Sequence, residues 1–164
     1  MLVHLKPDAR AVRAKPRAYP RCKSAWLAEH MDRLAEAGMV YRNDQATYGS
    51  VAMAIPKGHG KDSYRLVSDY RAVNASIEPA AMPMPNLEEL ARSFAGTRAF
   101  CTLDLIQGYW QMPRSPKAQP LFTMVTSGGL FTPTRVPQGV LNANAYFQQV
   151  VTEVLSGLIE RVGR

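Results

Sequence analysis

The chemistry legible in this chain starts with one carboxylate. Asp104 stands near the end of the apolar run Phe100-Cys101-Thr102-Leu103-Asp104-Leu105, and Gln107-Gly108-Tyr109-Trp110-Gln111 follow. The pattern predicts a strand running into a tight turn. Strand alternation puts Cys101, Leu103 and Leu105 on one face and Phe100, Thr102 and Asp104 on the other, so Asp104 points away from the core. Taken alone, it is a solvated strand-end aspartate. Positive charge gathers elsewhere. Residues 1–23 hold seven Lys and Arg against Asp8 alone, while the other 141 residues hold thirteen against twelve acids. The net charge of +7 is therefore mostly an arm, carrying Lys15, Arg17, Arg21 and Lys23 among others. Such an arm can attract phosphate backbones by releasing their counterions, or it can simply be a solvated terminus.

Other classes fall away. Cys22 and Cys101 build no disulfide framework and match no zinc spacing. Cys101 is predicted to be a small buried hydrophobe. No run of eighteen apolar residues exists, so no membrane span is expected. The N-terminus has no apolar signal-peptide core. These features predict a reducing, intracellular setting. With 164 residues, 46% of them hydrophobic, the chain can form one compact domain or part of a larger one.

The elements that must position these groups are marked in turn. Residues 1–22, with Pro7, Pro16 and Pro20, form an extended lead-in. Ser24 to Ala37 predicts an amphipathic helix, with Leu27, Met31 and Leu34 on one face and Gly38 as its stop. Val51, Met53 and Ile55 alternate with Ala52 and Ala54, which predicts a strand. Turn residues 56–62 and a second strand, Tyr64 to Tyr70, make it a hairpin. Arg65, Lys57 and Lys61 are charges on that hairpin. Asn86, with Glu89 three residues on, starts a helix that Gly96 ends. Leu121–Thr126 and Leu130–Val136 predict a second hairpin with a three-residue loop, Ser127-Gly128-Gly129. Pro133 demotes its second arm toward an edge or irregular strand. Asn142 to about Leu158 predicts a closing helix, with Phe147, Val150, Val151, Val154, Leu155 and Leu158 at helical spacing. Helices and strands mix without a βαβα rhythm, so the fold class is α+β.

Three blocks then occur in a fixed order: Tyr64-Arg65-Leu66-Val67-Ser68-Asp69-Tyr70-Arg71-Ala72-Val73-Asn74; Leu103-Asp104-Leu105-x-x-Gly108-Tyr109-x-Gln111; and Val136-Pro137-Gln138-Gly139-x-x-Asn142-Ala143-x-x-x-Phe147-Gln148. Together with Lys15-Pro16-Arg17-x-Tyr19-Pro20, they resemble the fingers and first part of the palm of a reverse transcriptase, in particular those of gypsy-like LTR retrotransposons. The likeness covers nearly the whole chain. It implies a right-hand polymerase divided into a basic lead-in (1–22), a fingers region (23–98) and a partial palm with a second fingers hairpin (99–164).

The resemblance also implies chemistry. RNA-directed DNA polymerases join a primer 3′-hydroxyl to a deoxynucleoside triphosphate on an RNA or DNA template. The reaction needs positioning and charge neutralisation, supplied by two Mg²⁺, with Mn²⁺ as the alternative. Magnesium prefers hard oxygen ligands. By likeness Asp104 is the first catalytic and metal carboxylate, and the Leu105 main-chain carbonyl is a second oxygen ligand. Arg65 and either Lys57 or Lys61 match the residues that hold the triphosphate. Tyr109 matches the aromatic gate that excludes a 2′-hydroxyl, and Gln138 the glutamine near the nucleotide sugar and template base. Lys15, Arg17, Arg21 and Lys23 would contact nucleic acid. Asp69 and Arg71 are expected to form a bracing ion pair. Trp26 and Trp110 are expected to be packing residues.

The sequence also departs from the family. Asn144 stands where many relatives carry proline, and Gln119-Pro120 replaces a commoner Lys-Thr. Tyr-x-Asp-Asp, which would carry the other metal aspartates, does not occur within the 164 residues. The chain alone is therefore expected to be inactive, with the remaining palm, thumb and RNase H supplied by the rest of a retroelement polyprotein. The likeness places such a protein in the cytoplasm, in a virus-like particle. The alternative is a non-catalytic nucleic-acid-binding remnant of such a polyprotein.

Overall fold

The computed structural model describes residues 1–58, 63–81, 86–99 and 101–162. Helix α1 (Arg21–Glu36) forms because apolar residues recur on one face, and it buries Leu27 and Met31. Each such side chain is worth about 2 kcal/mol of burial. Gly38, at φ +67°, ends it in the left-handed conformation that the stop signal predicts. Strands β1 (Val40–Arg42), β2 (Ser50–Pro56) and β3 (Tyr64–Ser68) follow. The hairpin β2–β3 has the expected antiparallel register, Ala54 opposite Leu66 and Ile55 opposite Arg65. In β2 the small residues face inward: Ala52 and Ala54 are buried, while Val51, Met53 and Ile55 stay partly exposed.

Short helix α2 (Arg71–Ala75) and helix α3 (Leu87–Ser93) come next. The Asn86 cap holds, its side chain accepting the Glu88 amide at 3.0 Å, and Gly96 takes φ +83°. Helix α4 (Gly108–Gln111) follows Gln107, itself left-handed at φ +50°. Strands β4 (Met124–Thr126) and β5 (Gly129–Pro133) and helix α5 (Ala143–Val162) complete the chain. The sheet order is β1-β5-β4-β2-β3, with β2 and β4 parallel and the remaining pairs antiparallel. The fold is thus α+β, and its single sheet draws strands from both sides of residue 98.

Five expectations fail, each for a physical reason. Residues 101–105 form no strand, because no neighbouring backbone pairs with them among the described residues. Cys101 is exposed rather than buried for the same reason: without a sheet the run has no inner face. The β4–β5 loop is two residues, Ser127 and Gly128, since Gly129 (φ +131°) pairs with Thr126 inside the ladder. Leu121 and Phe122, expected in the first arm of this hairpin, instead close the 3₁₀ turn Gln119–Phe122. Pro120 has no amide proton to give a ladder. Finally, β5 is not an edge. It lies between β1 and β4, and Pro133 is tolerated because it is the last residue of the strand.

The core joins Leu27 and Met31 to Tyr70, Val73, Ile77, Phe122, Met124, Phe131 and Val136. Within it lies an unexpected cation. Arg114 is 4% exposed. Its guanidinium stacks on the Phe122 ring, 3.8 Å from the centroid. Its Nε, Nη1 and Nη2 have no hydrogen-bond acceptor among the described residues. Burial pulls it down to about 10.

Candidate functional site

The hairpin β2–β3 sorts its charges by strand parity. Met53 with Val67, and Ile55 with Arg65, are cross-strand pairs on one face. Arg17 lies over that same face, its Nη1 donating to Met53 Sδ at 3.6 Å. Arg65 and Arg17 therefore belong to one face of the hairpin, and a guanidinium is the group best suited to phosphate oxygens. The opposite face carries Pro56 and Tyr64 and meets α1. There the Lys23 ammonium sits 6.0 Å from the Tyr64 ring, and Trp26 stacks on His30 at 4.7 Å. The expected nucleic-acid residues are thus divided, Arg17 on one face and Lys23 on the other. Lys15 and Arg21 are exposed. Lys57 is exposed where the Lys57 amide donates to the Ser63 carbonyl at 2.7 Å and closes the hairpin. Burial, with the Arg33 and Lys57 charges, lowers the His30 imidazole. Lys61 lies outside the described residues, as does Phe100.

Asp69 and Arg71 pair as the sequence predicts, Arg71 Nη2 reaching Asp69 Oδ2 at 2.6 Å. Hydrogen bonds from the Arg71 side chain hold the Asp69 carboxyl down to about 2.

Asp104 is exposed and makes no hydrogen bond or ion pair among the described residues. Leu105 is 46% exposed and Leu103 70%. These two leucines and Val150, Val151 and Leu155 of α5 line a cavity of about 300 Å³. Trp110 is half-buried against the core, as a packing residue. Just beyond Asp104, the turn at Gln107 sets Tyr109 against α5. Its hydroxyl donates to Asn144 Oδ1 at 2.5 Å, and its ring lies 5.3 Å from that of Phe147. Gly108 is required there: a Cβ on it would sit 2.7 Å from Phe147 Cε2.

Gln138 is exposed in a loop that two asparagines anchor. Asn74 donates to the Gly139 carbonyl at 2.8 Å and accepts the Leu141 amide at 2.9 Å. Asn142, at φ +68°, accepts the Ala80 amide at 2.8 Å and donates to the Glu78 carbonyl at 2.9 Å. Sequence reasoning placed both residues in motifs without seeing this bracing role. For Asn142 the left-handed tolerance of asparagine was the available signal.

A two-ion site needs several hard oxygens. Among the described residues no group of three His, Cys, Asp or Glu side chains is placed to hold a metal. The residues at hand offer Asp104 and the Leu105 carbonyl, which by themselves fall short of that set. No helix among the described residues is long and apolar enough to cross a membrane.

Fold and side chains together define an α+β domain with a cationic hairpin face. Over residues 55–163 the chain matches the family described as reverse transcriptase (RNA-dependent DNA polymerase), and it belongs to that family. It is 28% identical over 152 residues to the retrovirus-related Pol polyprotein from transposon opus of Drosophila melanogaster, covering 91% of this chain and 15% of that protein. Against the corresponding polyprotein from transposon gypsy, also of Drosophila melanogaster, identity is 28% over 154 residues, 90% of this chain and 14% of the relative. The Pro-Pol polyprotein of simian foamy virus type 1 is 31% identical over 125 residues, 76% of this chain and 11% of the relative. The chain therefore spans less than a sixth of the length of each of these relatives.

Proposed function

We propose that the chain is the fingers and first palm segment of an RNA-directed DNA polymerase of a gypsy-like retroelement, with the boundaries 1–22, 23–98 and 99–164 given above. Its work is template-directed transfer of a nucleotidyl group from a deoxynucleoside triphosphate to a primer 3′-hydroxyl. The observation that carries this is the family match over residues 55–163, which contains all three ordered blocks. In this reading Arg65, with Lys57 or Lys61, holds the triphosphate, and Arg17 follows the template strand on the same face. Lys15, Arg21 and Lys23 add nucleic-acid contacts from the lead-in and α1. Tyr109 and Gln138 approach the nucleotide sugar. Asp104 and the Leu105 carbonyl supply part of the oxygen set for Mg²⁺ or Mn²⁺, which when bound neutralises developing phosphate charge. The exposure of Asp104 leaves its oxygens open to such a role. Partners are a template–primer duplex and the remaining polyprotein regions.

The test uses a chain extended through the rest of the polymerase domain. There Asp104→Asn should abolish primer extension while template–primer binding stays within about twofold. Retained synthesis would show that the carboxylate has been misassigned. The 164-residue chain alone, with one carboxylate at the site, should extend no primer. Extension by it that Asp104→Ala removes would show the site to be self-sufficient.

A further inference from the structure

We infer that Asn144 is a positioning residue for Tyr109, fixing the ring that selects the nucleotide sugar and so tying that selection to the start of α5. This rests on the reading of Tyr109 as the gate. Three contacts carry it. The Tyr109 hydroxyl donates to Asn144 Oδ1 at 2.5 Å, at the short end of O–H···O distances. The Tyr109 ring lies 5.3 Å from the Phe147 ring at 48°. Phe147 in turn packs closely on Gly108, which leaves no space even for a Cβ. A ring held only by packing can still swing about its Cα–Cβ bond. A ring also held at its tip cannot do so without breaking a hydrogen bond.

Asn144 and Phe147 are three residues apart and so neighbours on one face of α5. The same helical turn therefore grips the ring at its edge and its tip. The acceptor has to be a side chain. A proline at 144, as in the pattern the sequence departs from, offers none, and phenylalanine at 109 would offer no donor. The hydroxyl and the amide are thus a matched pair. The ligands at issue are 2′-deoxynucleoside triphosphates, discriminated against their ribose counterparts.

The first test uses the 164-residue chain and the ¹³Cζ resonance of Tyr109, which reports whether the phenol donates a hydrogen bond. Asn144→Ala should move it, and Asn144→Asp, which retains an acceptor oxygen, should restore it. An unmoved resonance overturns the inference, because no hydrogen bond was lost. The second test uses the extended polymerase and the ratio of kcat/KM for dGTP over GTP. Asn144→Ala and Tyr109→Phe should each lower the ratio about fivefold, the factor one net hydrogen bond is worth. The double variant should fall no further, since both substitutions break the same bond. Tyr109→Ala should fall further still. If Tyr109→Ala collapses the ratio while Asn144→Ala leaves it unchanged, Asn144 is overturned and the gate stands. If neither changes it, the gate fails and takes Asn144 with it.

Discussion

Replacing Arg114 by methionine should make the protein more stable, although it removes a charge from the folded core. Two effects oppose each other. The stack on Phe122 at 3.8 Å is a desolvated cation–π contact, worth about 2 kcal/mol in its favour. Against it stands the cost of holding a guanidinium whose three nitrogens meet no acceptor among the described residues. Burial lowers Arg114 to about 10, which puts that cost near 3 kcal/mol as an order of magnitude. The cost wins by about 1 kcal/mol. Methionine would also fill the unbranched volume with apolar contacts against Phe122. Arg114→Met should therefore gain about 1–2 kcal/mol, or roughly 2–8 °C in Tm for a domain of this size. Urea unfolding at pH 7 would give the free energy and a thermal melt the Tm. Arg114→Lys keeps the charge but loses the planar stack, so it should lose stability instead. If Arg114→Met lost more than about 1 kcal/mol, the guanidinium would have an acceptor in solution and the reasoning would be refuted.

Two further outcomes follow from local geometry. The depressed Asp69 carboxyl contributes stability above its unfolded value of about 3.9, and that contribution is lost as pH falls through about 2. In an NMR titration Arg71→Met should return Asp69 toward the ordinary aspartate range, and an unchanged midpoint would show that Arg71 is not the cause. Gly49→Ala would place a Cβ 2.7 Å from Val125 Cγ2 between packed strands. It should cost about 1–3 kcal/mol by overpacking. Adding Val125→Ala should return part of that loss in chemical denaturation, whereas strictly additive losses would argue against a steric cause.

The parts of the fold that could be read from the sequence are those whose pattern is local. Helix α1 announced itself by Leu27 and Met31 at helical spacing and by Gly38. The hairpin β2–β3 showed in alternation either side of a turn, and Asn86 as a cap. Three-residue β1 is too short to show a period, and the parallel pairing of Ser50 with Met124 joins residues far apart in the chain. Residues 101–105 carry strand propensity, but a strand exists only where backbone pairs with it, which no local pattern can report. The candidate site divides the same way. Motif order named Asp104, Tyr109, Arg65 and Gln138. The Tyr109–Asn144 bond, the two faces that separate Arg17 from Lys23, and the burial of Arg114 in a proline-flanked loop all depend on distant contacts.

The two asparagine side chains that clasp residues 74–80 to residues 139–142 turn distant stretches of chain into one mechanical body. Four hydrogen bonds through two amide groups stand in for a covalent staple, and each asparagine uses both its donor and its acceptor. A push on α2 must therefore travel to the Gln138 loop. Conversion of either asparagine to aspartate would remove the donor half of its clasp and loosen two loops at once, so hydrolytic ageing of one amide would be felt at both.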